Sequence, residues 1–344
     1  MKLSGLGDVV QALPVAVALK ERDSSTRVTW VAMPVPARLL APHPAVDRVV
    51  TFERGRGLAG AVKLWRTTRG MEHDVAMNME TYLRGLLPSL LSGARRRVGF
   101  GPPRARELSW LFHHERLPRR DERHTQDLYL EFAAWAGAEV HGPDWGLAPT
   151  AEERAEQEAF FGELRAGEEG AAPERTPSGE RPPVVGLVLA SARPEKDWPA
   201  GRWTELARRL VGGRGARVVV AGGPSDREAA LAGEVLRATG GRAVDARGDD
   251  PRRLVWLLEG CDLVVAPDTG PLHVAVAVGT PVVGLFGHTN PWRVGPYRHR
   301  DLVIDRYTDP DEEPDPARRG PRHGRMERIS VEEVLAKVER GLQR

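Results

Sequence analysis

The sequence predicts an α/β protein built from two Rossmann-like, doubly wound domains. Short apolar runs rich in Val, Leu and Ala recur along the chain and alternate with stretches of helical length. The clearest unit, residues 263–286, reads strand–turn–helix–strand, the repeat of a parallel sheet. Residues 166–183 are rich in Gly, Pro, Glu and Ser, with no apolar residue larger than Ala apart from proline, and cannot bury enough surface to order themselves. They are expected to link a first domain at 1–165 to a second at 184–329, with a terminal helix at 330–344 that, by analogy with other two-domain proteins of this type, packs back on the first domain.

A chain of 344 residues with 41% hydrophobic content can build two cores, and no apolar run approaches the roughly 18 residues that span a bilayer. The opening residues lack the basic head and apolar middle of a signal peptide, and one cysteine, Cys261, excludes a disulfide framework. The expectation is a soluble, cytoplasmic monomer that binds no nucleic acid. Net charge is +2, but residues 1–150 hold 21 basic against 16 acidic side chains, and residues 84–123 hold ten Arg against four acids. Such a patch can hold an anionic acceptor, rest on an anionic membrane face, or simply be solvated.

In the first domain, Ser4-Gly5-Leu6-Gly7-Asp8 leads into a helix at 9–19 with Pro14 in its second turn. The Gly5-x-Gly7 pair lacks the third glycine of a dinucleotide fingerprint, and the strand at 28–32 runs into Met33-Pro34 without an acid, so no nicotinamide cofactor is expected. What remains is a carboxylate, Asp8, at a helix start, where capping is the alternative role. A strand is expected at 74–78 and a closing helix at 124–136. His113-His114-Glu115 lacks a second ligand pair at helical spacing and is read as surface, with no metal.

In the second domain, a buried strand at 184–189 ends near Ser191 and Lys196, and a helix follows at 200–211. A strand and Gly-Gly turn at 217–224 lead into a helix from 225, and another helix is expected at 252–258. The strand at 263–266 then gives way to Asp268-Thr269-Gly270, with Asp268 or Thr269 expected to cap a helix at 272–278. Backbone N–H groups at that helix start lie at a strand's carboxyl end, where open α/β sheets bind ligands, and the positive helix end suits a diphosphate. His273, one turn in, can donate to a phosphate oxygen; an ordinary capped helix is the alternative. A strand at 302–304, a loop or disordered segment at 307–316, and a helix at 331–342 opened by Ser330 with Ser-x-x-Glu complete the chain.

These motifs also carry a resemblance. Asp-Thr-Gly-x-x-His from Asp268, followed by Gly-x-Thr, Asn-Pro-Trp and Gly-Pro-Tyr, resembles the donor-site signature of the family 9 glycosyltransferases, the heptosyltransferases of lipopolysaccharide core assembly. Leu-Ser-x-Leu-Gly-Asp at 3–8 is similar to that family's amino-terminal signature, whose Asp is the proposed catalytic base. The His-Pro-x-Val-Asp turn at 43–47, the Arg-Val-Gly-Phe segment at 97–100 and Lys-x-Trp-Pro at 196–199 match as well. The resemblance implies a GT-B architecture, two Rossmann-like domains facing a central cleft, and inverting transfer with Asp8 as base. An exposed carboxylate is a weak base, so exclusion of water on closure is expected to strengthen it.

By the same resemblance Ser191, Lys196, Asp226, Asp268, Thr269, Gly270 and His273 bind the donor, implied to be ADP-heptose, which is a substrate; no cofactor or metal is implied. Asp226 stands where the family usually has a Glu that reaches the ribose. The acceptor is implied to be an anionic Kdo or heptosyl group of the lipopolysaccharide core, with Arg84, Arg95, Arg97, Arg104 and Arg106 as candidates to hold it and a peripheral position on the inner membrane's inner face. A GT-B epimerase or hydrolase acting on donor alone, and a binding-only relative, are the alternatives. The family's first strand is full length, whereas only Met1-Lys2-Leu3 precede Ser4 here. Shortening a central strand costs several kcal/mol of buried contacts, so the expectation is a translation start upstream of Met1.

Overall fold

The structure, a computed structural model, describes residues 1–118, 120, 121, 123–166 and 181–344. The chain forms two compact units, Met1–Gly146 and Leu147–Arg344.

The first unit runs α1 (Leu6–Arg22), β1 (Thr29–Ala32), α2 (Pro34–Leu40), β2 (Arg48–Thr51), α3 (Gly57–Thr68), β3 (Val75–Asn78), α4 (Leu86–Leu91), β4 (Arg96–Phe100), β5 (Glu115–Leu117) and α5 (Thr125–Trp135). β1 pairs with β2, and β3, β4 and β5 pair in that order, all parallel. Residues 1–3 occupy the gap between the two sets. Leu3 O accepts from Met33 N–H at 2.9 Å and Met1 O from Met79 N–H at 3.0 Å, while the Met1 ammonium donates to Met77 O at 2.5 Å. Leu3 joins Val31, Val50, Phe52 and Leu64 in the core. Three residues thus stand in for a central strand, and beside Met1 a cavity of about 850 Å³ opens between the edges of β1 and β3, lined by Thr29, Val31, Val75 and Met77 among others.

The second unit runs α6 (Ala151–Ala166), β6 (Val184–Val188), α7 (Ala200–Arg214), β7 (Arg217–Ala221), α8 (Asp226–Ala238), β8 (Ala243–Asp245), α9 (Pro251–Glu259), β9 (Leu263–Pro267), α10 (Gly270–Ala277), β10 (Val282–Phe286), α11 (Pro291–Val294), β11 (Ile304–Asp305) and α12 (Val331–Leu342). Its six strands are parallel in the order β11-β10-β9-β6-β7-β8. Strands fully buried on both faces explain the unbroken apolar runs of β6, β9 and β10. Chain direction reverses its march across the sheet between β6 and β9, and that switch point is where such sheets open a ligand crevice.

Four expectations change. The linker at 166–183 falls mostly outside the described residues, and α6, expected in the first domain, belongs to the second unit. It is tied to α9 there: Gln157 Nε2 donates to Trp256 O at 2.7 Å, and Arg252 pairs with Glu153 at 2.5 Å. The strand expected at 302–304 is a 3-10 turn, Arg300–Leu302, followed by the two-residue β11. The charged stretch after Tyr307 is an ordered loop: Arg322 reaches Asp309 at 3.0 Å and Glu312 at 2.6 Å, and Arg325 reaches Asp309 at 2.7 Å. α12, expected to pack back on the first domain, carries the expected capping box and buries Val334 and Val338 in the core of the second unit.

Candidate active site

In the first unit Asp8 lies in the first turn of α1, just past residues 1–3, at that sheet's own switch point between β1 and β3. Gly5, not Asp8, is the cap residue, so the carboxylate is available. Its side chain is 40% exposed, and Lys2 Nζ stands 3.3 Å from Oδ2. Lys2 is 5% exposed and also lies 3.4 Å from Glu80 Oε2 and 5.7 Å from the centre of the Tyr129 ring. Glu80, fully buried, accepts from Leu3 N–H at 2.9 Å and from Arg84 Nε at 2.5 Å. Burial alone would raise the Glu80 carboxyl; Lys2, Arg84 and the Leu3 N–H overcome this and hold it below its usual range. The result is a fixed ladder of charge, acid–base–acid–base, that leaves Asp8 as the outermost anion.

The arginines singled out from the sequence divide. Arg84 belongs to this ladder. Arg104 is 3% exposed, pairs with Glu131 at 2.7 Å, donates to Pro118 O at 2.6 Å and lies over the Phe100 ring, so it is a core cross-link and cannot meet an acceptor. Arg97 is turned to Phe112 O at 3.0 Å and to His114 at 2.8 Å. Arg95 and Arg106 are exposed. His113, read as a surface residue, is buried, with Nε2 3.1 Å from Asn78 Nδ2, and burial pushes its imidazole down; His114 is exposed.

In the second unit the switch point gathers Lys196, Asp268 and His273. β9 ends at Pro267 and delivers Asp268, from which α10 starts. Thr269, not Asp268, holds the cap position, in extended conformation and without a side-chain bond to the helix. Asp268 is turned toward Lys196, whose Nζ lies 2.6 Å from Oδ2, with His273 Nε2 3.8 Å from Oδ1. The second distance is an electrostatic contact, too long for a hydrogen bond. Burial would raise the Asp268 carboxyl; the His273 ring and the Lys196 ammonium reverse this and hold it well below the usual carboxylate range. Lys196 arrives on a 3-10 turn, Pro194–Lys196, after β6. The first N–H groups of α10, a lysine and an imidazole thus converge beside one buried carboxylate, an arrangement suited to an anion.

Ser191 is drawn into its own loop: its N–H donates to Asp197 Oδ1 at 2.7 Å and its hydroxyl to Arg193 O at 2.7 Å. Asp226 is exposed in the first turn of α8. The carboxylate fixed at the Gly-Gly turn is instead Glu228, accepting from Gly223 N–H at 3.0 Å and from Ser225 Oγ at 2.7 Å. The Ser225-x-x-Glu228 spacing was readable as a capping box. His288, two residues past the end of β10, is buried; its Nδ1 has no hydrogen-bond partner among the described residues, and burial together with the His323 and Lys196 charges lowers its imidazole. Glu80 had a sequence signal in the i,i+4 spacing to Arg84. Lys2 and Tyr129 had none.

The profile described as glycosyltransferase family 9 (heptosyltransferase) matches residues 61–315. The chain is 28% identical over 308 residues to the lipopolysaccharide core heptosyltransferase OpsX of Haemophilus influenzae, covering 89% of this chain and 83% of that protein. Among solved structures it superposes on a family 9 glycosyltransferase from Veillonella parvula with a TM-score of 0.79, at 23% identity over 99% of this chain and 95% of the other. It also superposes on the Escherichia coli heptosyltransferase WaaC with ADP, with a TM-score of 0.75, at 18% identity over 99% and 98% of the two chains. The fold is therefore GT-B, and the chain belongs to glycosyltransferase family 9.

Proposed function

We propose that this glycosyltransferase moves heptose from ADP-heptose onto an anionic sugar of the lipopolysaccharide core, with inversion at the anomeric carbon. The observation that carries the reading is the convergence of Lys196, His273 and the uncapped start of α10 on Asp268 at the switch point of the second unit. A nucleoside diphosphate leaving group develops negative charge as the glycosidic bond breaks, and preorganised donors at that oxygen lower the barrier. Asp8 would take the proton from the acceptor hydroxyl as it attacks. Arg84, whose side chain keeps 31% of its surface exposed, would be the cation of the ladder able to meet a carboxylated sugar such as Kdo. Donor recognition is supported by relatives of the same fold, among them WaaC with ADP-2-deoxy-2-fluoro heptose, which has a TM-score of 0.73 and 18% identity. The enzyme would act as a monomer, without a cofactor, in the cytoplasm, peripheral on the inner face of the inner membrane.

A thermal-shift panel of ADP-, UDP- and GDP-sugars tests the donor. A ligand at about 100 times its dissociation constant adds roughly 2.7 kcal/mol to the stability of the native state. ADP-heptose should raise the unfolding temperature and UDP- and GDP-sugars should not; stabilisation by a UDP-sugar alone would replace the proposed donor.

A further inference from the structure

In the first unit three segments cover one face of the sheet. α3 crosses from β2 to β3, α4 joins β3 to β4, and residues 101–114 join β4 to β5. Right-handed crossovers place all three on the same face, while α1 and α5 pack together on the other. Contacts tie the segments side by side. Thr68 Oγ1 donates to Leu91 O at 2.6 Å, Arg106 N–H to Thr81 O at 2.6 Å, and Leu83 N–H to Glu107 Oε2 at 3.1 Å.

Their outward sides are apolar. Leu58, Val62 and Trp65 form one stripe on α3 at spacings of four and three, with Leu58 86% exposed. Leu83, Leu87 and Leu90 repeat the same spacing along α4 and the turn before it. Leu108, Leu111 and Phe112 extend the surface through the 3-10 turn Ser109–Phe112. With Tyr82, these are ten of the thirteen large apolar side chains exposed among the described residues, gathered on a single face. An apolar surface of that extent marks an interaction site.

Charge identifies the partner. Arg54 and Arg56 precede α3, Arg66 and Arg69 lie in and after its last turn, and Arg106 adjoins Leu108; all are exposed. The Arg69 guanidinium lies 4.9 Å over the Trp65 ring, an amphipathic pair suited to an interface between headgroups and acyl chains. The nearby acids are engaged: Glu53 holds Arg56 and Lys63, and Glu107 accepts the Leu83 N–H. Leucine, tryptophan and arginine on one plate fit an anionic bilayer surface. A second copy fits poorly, because two such faces would set arginine against arginine. Among the described residues no helix is long and apolar enough to cross a membrane, so attachment would be by this surface.

We infer that the first unit docks on an anionic lipid surface through α3, α4 and the Ser109–Phe112 turn. That the same membrane carries the sugar acceptor rests on the proposed function; the docking itself does not. The test is co-sedimentation of the full chain with vesicles of phosphatidylglycerol and phosphatidylethanolamine, against vesicles of phosphatidylcholine. Binding should appear with the anionic vesicles and weaken with salt. Leu58→Ser, Trp65→Ser and Leu111→Ser should each weaken it on the order of tenfold, and Arg66→Gln about fivefold, with unchanged thermal unfolding as the control for folding. No binding by the parent chain, undiminished binding by a folded variant that combines the three serine substitutions, or a dimer that this variant dissociates would overturn the inference. Transfer to a water-soluble, deacylated acceptor is measured in parallel. Its absence in a chain that still binds vesicles would remove the proposed function and leave the docking surface standing.

Discussion

Replacing Lys196 by Met leaves Asp268, a side chain 10% exposed, facing only His273 at 3.8 Å. Breaking one member of a buried ion pair costs about 3–5 kcal/mol, most of it from the stranded charge. Lys196 keeps 19% of its side chain exposed, which lets water reach the pair, so the loss should fall at the lower end, about 3 kcal/mol. Asp268→Asn removes the stranded charge, and the double variant Lys196→Met/Asp268→Asn should therefore recover most of that loss. Urea unfolding of the four proteins at neutral pH gives the coupling energy, expected to be about 2 kcal/mol. Coupling below about 0.5 kcal/mol would mean that the 2.6 Å contact is energetically idle and would refute the reasoning. Acid should repeat the experiment. The Asp268 carboxyl is held below its ordinary 3.8, so its contribution is complete above that value and is lost as pH falls further.

Four other outcomes follow from the first unit. In a chain beginning at Met1, burial pushes the terminal ammonium from 8.0 down to about 5. The unfolded chain then binds the extra proton between those values, so stability should fall as pH drops from 8 to 5, by about 4 kcal/mol in full. Adding several apolar residues ahead of Met1 should abolish that slope and raise the unfolding midpoint, by turning the ammonium into an amide and filling the cavity between β1 and β3; denaturant curves at both pH values read both effects. Glu80→Gln leaves Asp8 as the counter-charge for the buried Lys2 beside Arg84 and should cost about 3 kcal/mol in the same assay. Arg104→Gln should destabilise by a similar amount yet leave the acceptor KM of the remaining folded enzyme unchanged, as steady-state kinetics can check.

Much of the second unit was legible because its chemistry is local. β6, β9 and β10 are apolar on both faces, and their carboxyl ends fall where Lys196, Asp268 and His273 are read from the chain. The capping box at Ser330 is likewise complete within four residues. What escaped depends on partners far away in sequence. Arg104 and Arg106 look alike as text, yet Arg104 turns inward because Glu131 lies 27 residues on, and Arg106 stays exposed. His113 is turned inward, where its Nε2 meets the Asn78 side chain, 35 residues earlier. Residues 151–165 fall in the first half by the position of the Gly- and Pro-rich stretch alone, until Gln157 is seen to bond Trp256, 99 residues later. Asp268 and Thr269 are equally good caps by local rules, and it is Lys196, 72 residues earlier, that holds the Asp268 carboxylate.

The account depends most on Asp8 acting on the acceptor while donor recognition resides in the second unit. Asp8→Asn keeps the shape of the side chain and removes its charge, so paired measurements of ADP affinity by calorimetry and of heptose transfer by initial rate test both halves of that claim. The account predicts an unchanged dissociation constant for ADP and a transfer rate lower by about 10²–10⁴, the usual contribution of a general base. Transfer within a few-fold of the parent enzyme, or loss of ADP binding along with it, would contradict it.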